Sequence, residues 1–119
     1  MSVLLGAARI DESNGINGAI KGDQTTHEVE VHNWYDHEWE YVLRPIKQEV
    51  AEKSAKLMEQ ACANKYIGYS QRNRLELYYV AKANGFKIDQ IKTPCDCDCS
   101  SLIATCAIGA GVPVSPDLY

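Results

Sequence analysis

At 119 residues the chain has room for one domain or part of one, and with 45% hydrophobic and 24% charged residues it can build a core. A net charge of -4 and a pI near 5.3 lack the basic excess of a nucleic-acid binder, so no nucleic acid is expected as a partner. No stretch approaches the roughly 20 apolar residues of a membrane span. Met1-Ser2-Val3-Leu4-Leu5-Gly6 lacks the basic start and long apolar run of a secretory signal, so cytoplasmic synthesis without a signal peptide is expected.

The first 27 residues have little apolar periodicity beyond a short strand at Val3 to Ile10. Asn14-Gly15, Asn17-Gly18 and Lys21-Gly22-Asp23 mark turns, and the mixed composition around them reads as an ordered loop. From Glu28 to Leu43 the period becomes two. Val29 and Val31 alternate with Glu28, Glu30 and His32, Trp39, Tyr41 and Leu43 alternate with Glu38, Glu40 and Val42, and Asn33 to Asp36 can turn the chain between them. This predicts an antiparallel β-hairpin closed by Arg44-Pro45.

A helix is predicted over Lys47 to Asn64, with Val50, Ser54, Leu57, Met58, Ala61 and Cys62 on its inner stripe. After a connection at Lys65 to Tyr69, a second helix is expected, capped by Ser70 and stopped by Gly85. Its inner face would be Leu75, Tyr78, Tyr79 and Ala81. Phe86 to Ile91 reads as a connector. A third helix then opens in the cysteine stretch and presents Leu102, Ile103, Cys106, Ala107 and Ala110 on one face. Gly109, Gly111 and Pro113 would end it, leaving an extended tail from Val114 to Tyr119.

The unusual chemistry lies in Thr93-Pro94-Cys95-Asp96-Cys97-Asp98-Cys99-Ser100-Ser101-Leu102, since four of the five cysteines fall between positions 95 and 106. Asp98 or Ser100 can cap the third helix, which places Cys99 at or just inside its N-terminus. There the unpaired N–H groups and the macrodipole stabilise a thiolate, and Cys99 becomes a candidate nucleophile. The bland alternative is a buried structural cysteine. A second alternative is zinc held by Cys95, Cys97, Cys99 and Cys106. The spacing disfavours it: single-residue gaps replace the usual two, and Cys106 lies two helical turns, roughly 10 Å, beyond Cys99. No metal or other cofactor is therefore expected, with zinc as the alternative. Cys62 stands apart on a helical face and reads as a small buried hydrophobe.

A cysteine nucleophile needs a base, normally a histidine. The three available, His27, His32 and His37, all precede Cys99 and lie in or beside the predicted hairpin, where a solvated surface role is the favoured reading for His32 and His37. Gln24 can donate to an oxyanion and Asp23 can orient a base, although a turn with an Asx hydrogen bond explains both residues as well. Trp34 and Tyr35 are candidates for a carbohydrate- or peptide-binding groove, the other hairpin aromatics being needed for packing.

Asp98-Cys99-Ser100-Ser101-Leu102 resembles the nucleophile motif of NlpC-like cysteine peptidases and the related CHAP amidases. Ala8-Arg9-Ile10-Asp11, Gly22-Asp23-Gln24-Thr25 with Glu28-Val29, Trp34-Tyr35, Val42-Leu43-Arg44-Pro45, and Ile67-Gly68-Tyr69 with Arg72-Asn73 look like the opening blocks of phage and prophage peptidoglycan hydrolases (endolysins) from Gram-positive hosts. The resemblance implies an α+β, papain-like (NlpC-type) fold, of which residues 1–119 would be the N-terminal part with a β-hairpin and three helices. It implies hydrolysis of an amide bond in bacterial peptidoglycan, at the cell wall after release. Cys99 would act with Asp98, Asp23 and Gln24, and Ser100 would meet substrate beside Trp34 and Tyr35. Such enzymes carry the histidine on a strand after the cysteine helix, which this chain does not reach by Tyr119. The expectation is that a downstream segment or a second chain supplies it, or that a hairpin histidine substitutes.

Overall fold

The computed structural model describes residues 3–22, 28–35 and 41–117. Along them run β1 (Leu4–Ala8), β2 (Val29–Asn33), α1 (Gln48–Ala63), β3 (Ile67–Tyr69), α2 (Glu76–Ala83), a 3-10 turn at Ile88–Gln90, β4 (Cys95–Cys97) and α3 (Cys99–Gly109). β1 and β2 pair antiparallel with Gly6 opposite Val31, while β3 and β4 pair parallel with Ile67 opposite Cys95 and Tyr69 opposite Cys97. The domain is thus α+β, with a β-hairpin and three helices, as expected from the sequence. Its core gathers Val29, Leu57, Ala61, Ile67, Leu77, Ile88, Cys95, Cys97, Leu102 and Cys106. Buried Glu28 joins the two sheets by accepting from the Tyr69 N–H at 3.1 Å.

The hairpin uses a different pair of arms from the one the alternation predicted. β2 finds its partner in β1, across a long loop, and Arg9 and Glu30 reinforce the pairing with an ion pair at 2.5 Å. Tyr41, Val42 and Leu43 form no strand and are 81%, 65% and 89% exposed, while Trp39 lies outside the described residues. A period of two marks a strand only where one face has something to cover. Here α1 is covered by β1 and β2 instead.

α1 matches its predicted stripe, with Leu57 and Ala61 buried and Val50, Ser54, Met58 and Cys62 half-buried. Asn64 ends it. Its side-chain amide donates to the carbonyls of Ile88 and Ile91 at 2.9 and 3.0 Å, and its oxygen accepts from the Tyr66 N–H at 2.9 Å. The predicted connection that follows contains β3, a strand too short to show periodicity.

α2 begins later than predicted. The Ser70 hydroxyl accepts from the Asn73 N–H at 3.1 Å, which caps a turn, and the helix proper starts at Glu76. It buries Leu77 and Ala81, whereas Tyr79 is 61% exposed. Apolar residues run on without a break from Leu77 to Ala81, so spacing could not choose among them, and the tyrosines keep their hydroxyls near water.

In α3 the predicted face is also corrected. Ile103 is 54% exposed, while Ser101 and Thr105 are fully buried. Both hydroxyls are satisfied within the helix: Ser101 accepts from the Asp98 N–H at 2.8 Å and Thr105 donates to the Ser101 carbonyl at 2.8 Å. Polar side chains that bond their own helix can be buried at little cost. Gly109 is the last residue of α3, as expected, and it is also a packing residue. A Cβ there would lie 2.8 Å from Leu57 Cδ1 and 3.1 Å from Phe86 Cδ1.

Candidate functional site at the start of the third helix

β4 is buried along its whole length, and the chain leaves it at Asp98 in an extended conformation. Asp98 is the N-cap of α3. Its Oδ1 accepts from the Ser101 N–H at 2.9 Å, and Ser101 Oγ returns a bond to the Asp98 N–H, which makes a reciprocal capping box. Cys99 is consequently the first residue of the helix, and it is exposed.

The cap is held from outside by Arg74, which is only 8% exposed. Its Nε donates to Asp98 Oδ2 at 2.8 Å and its Nη2 donates to Ser100 Oγ at 2.8 Å, while Ser100 Oγ donates to Asp98 Oδ1 at 3.3 Å. Burial works against the Asp98 carboxylate. The Ser101 N–H, the Arg74 guanidinium and the Ser101 hydroxyl outweigh it, and the carboxyl stays below its ordinary range.

The other four cysteines are of a different kind. Burial pushes Cys62 up to about 11, Cys95 and Cys106 up to about 12, and Cys97 well above the usual thiol value. Cys97 also donates its thiol to the Gly68 carbonyl at 3.6 Å. Such thiols are poor nucleophiles at neutral pH. Among the described residues, no group of three or more His, Cys, Asp and Glu side chains is placed to hold a metal ion.

The loop before β2 is anchored on the sheet that leads to Cys99. Asp11 organises it: Oδ1 accepts from the Ser13 and Gly15 N–H groups and the Ser13 hydroxyl, and Oδ2 accepts from the Gly18 N–H at 2.8 Å. The Ser13 hydroxyl leads the interactions that hold the Asp11 carboxyl down to about 2. Further along, the Ile16 carbonyl accepts from the Gln71 N–H at 2.8 Å and the Asn17 carbonyl from the Ser70 hydroxyl at 2.8 Å. Gly22 is pressed against the start of β4 with φ +62, where a Cβ would lie 2.5 Å from Pro94 Cα. Its N–H donates to Asp96 Oδ1 at 2.8 Å. Asp96 N–H donates to Glu76 Oε1 at 3.2 Å, and Glu76 pairs with Lys21. Burial, with Glu76 adding to it, raises the Asp96 carboxyl.

Of the residues singled out from sequence, Cys99, Asp98 and Ser100 are brought together. Asp23, Gln24, His27 and His37 lie outside the described residues. Trp34 and Tyr35 are 42% and 41% exposed and follow β2, on the other sheet from the one ending at Cys99. The Tyr35 ring stacks on His32 at 5.4 Å, and His32 Nδ1 lies 3.1 Å from the Asn33 carbonyl oxygen. The residue that sequence reading missed is Arg74, 24 positions before its partner Asp98. No local pattern marks such a pair; it is made by the α2 crossover between parallel strands.

The arrangement offers an exposed thiol at the amide-rich end of a capped helix, which suits attack on a carbonyl. No helix among the described residues is long and apolar enough to cross a membrane. No curated protein and no solved structure matches the chain. The model of the endolysin-like domain family matches residues 5–118, and on that match the chain belongs to the endolysin-like domain family.

Proposed function

We propose that the protein is a phage-type peptidoglycan hydrolase that cleaves an amide bond of the cell-wall peptide with Cys99 as nucleophile. The observation that carries this reading is the contrast among the cysteines: Cys99 alone is exposed, and it opens a capped helix in an endolysin-like domain. The reading places the chain in the papain-like group of NlpC and CHAP enzymes. The enzyme would meet its substrate at the cell wall, after release from the cell that made it.

In this mechanism Cys99 Sγ attacks the amide carbonyl carbon, and the Cys99 and Ser100 N–H groups at the start of α3 serve the developing oxyanion. A histidine, supplied by a downstream segment or a second chain, takes the thiol proton and passes it to the leaving amine. Water then hydrolyses the thioester and restores the thiol. No step calls on a metal. Gln24 is a further donor to the oxyanion, Asp23 orients the base, and Trp34 and Tyr35 bind the glycan or peptide flanking the cut.

Digestion of purified peptidoglycan tests the reading through its new chain ends. We expect free amino groups to appear without new reducing sugar ends, and Cys99→Ser to abolish their release. Release of reducing sugars, or unchanged activity in Cys99→Ser, would overturn it.

A further inference from the structure

We propose that Arg74 is the positioning residue of the Cys99 nucleophile, acting through Asp98 and Ser100; this rests on the hydrolase reading above. Three observations support the role. Arg74 is nearly buried, and its guanidinium divides between the residues on either side of Cys99, Nε to Asp98 and Nη2 to Ser100, both at 2.8 Å. Its own segment is fixed, since Ser70 holds the Asn73 N–H, Gln71 N–H is tied to Ile16, and Glu76 bonds the backbone of β4. The arginine is therefore a braced arm and not a flexible surface side chain.

The physical need for it follows from the cap. A carboxylate at the N-cap satisfies the helix but places a negative charge beside the residue that must carry a thiolate. Like charges at that distance oppose one another, and the positive end of α3 would be spent on Asp98. The guanidinium neutralises the cap, so that the positive end of α3 is left to Cys99 although the Ser101 N–H bonds the cap. Its fork also fixes the Asp98–Ser100 spacing, which a lysine, with its single point of charge, cannot do.

The test is the alkylation rate of each cysteine in the folded protein by iodoacetamide, read by peptide mass spectrometry. In the wild type, Cys99 should react faster than cysteine in an unstructured peptide of the same local sequence. Arg74→Gln should slow Cys99 by about tenfold while Cys95, Cys97 and Cys106 stay protected. Arg74→Lys should recover part of the rate by restoring charge, and Ser100→Ala, which keeps the ion pair, should lose about threefold. If Arg74→Gln does not fold, Arg74→Lys and Ser100→Ala decide the matter. An unchanged Cys99 rate in these variants overturns the role of Arg74 while the nucleophile stands. Faster reaction of all the cysteines together shows that the arginine only supports the fold, and also overturns it. A wild-type Cys99 no faster than the peptide overturns the nucleophile itself, and this proposal with it.

Discussion

Asp96 and Asp98 flank Cys97 in one short motif, and both are almost completely buried, at 1% and 5% exposure. Their carboxyls are nevertheless driven in opposite directions, Asp96 upward and Asp98 downward. Beyond the Ser101 N–H that Asp98 caps, the entrance to α2, which faces both, adds to the difference. It presents Glu76 to Asp96 and Arg74 to Asp98, so that one buried carboxylate meets a like charge and the other a guanidinium. Burial by itself would raise both. Asp96 is left to burial with Glu76 adding to it, whereas the Ser101 N–H and then the Arg74 guanidinium hold Asp98 as a charge.

The largest test of this contrast is Asp98→Ala. It removes the cap of α3 and takes the buried carboxylate from Arg74, and we expect a loss of about 3 kcal/mol in urea denaturation. A loss no larger than that of a surface substitution would make the two aspartates equivalent. Next comes the alternation of the cysteines. Cys97→Ser buries a hydroxyl in the core and should cost about 1–2 kcal/mol.

Stability against pH separates the aspartates by sign. The Asp98 carboxyl is lowered below its ordinary 3.8, so its contribution is complete above that pH and is lost as the pH falls through the folded value. Asp11, held down to about 2, adds to the same acid loss between about pH 4 and pH 2. The Asp96 carboxyl is raised, so its ionisation costs stability as the pH climbs from 3.8 through the folded value. Asp96→Asn keeps an oxygen for Gly22 and removes that cost, so near neutral pH it should equal the wild type or gain up to about 1 kcal/mol. Thermal melts from pH 2 to pH 8 read both slopes, and a destabilised Asp96→Asn at pH 7 would break the contrast. The smallest effect is expected from Cys99→Ser, within about 0.5 kcal/mol of the wild type, because the side chain faces solvent.

Where the chain's chemistry is local, the sequence was readable. α1 follows from its 3.6-residue stripe, and the capped start of α3 from Asp98 and the residues after it. β3 and β4 left no trace, since three residues are too few for a period and both strands are buried on all sides. The hairpin was legible as a class of structure but not in its arms, because the alternation at Trp39 to Leu43 competed with a plain apolar run at Leu4 to Ala8. At the candidate site the exposed Cys99 and its cap announce themselves within five residues. Arg74, Glu76 and Lys21 do not, for their partners are brought to them only by tertiary contacts. The burial of Ser101 and Thr105 in α3 leaves no mark in the apolar spacing, because both hydroxyls bond within the helix and its cap.

The anchoring of the first loop has a kinetic consequence. The bonds from Asn17 to Ser70 and from Gly22 to Asp96 span 53 and 74 residues, and β1 rests on both α1 and α3. Contacts that close such long stretches of chain carry a large entropic cost and form late. A segment that precedes β4 and α3 in the chain is thus among the last to reach its place, waiting for them to exist. Pulsed hydrogen exchange during refolding should find the amides of α1 protected before those of Leu4 to Ala8. Until then the side of α1 bearing Met58 and Cys62 stands uncovered, and it is there that a half-assembled molecule is most prone to aggregate.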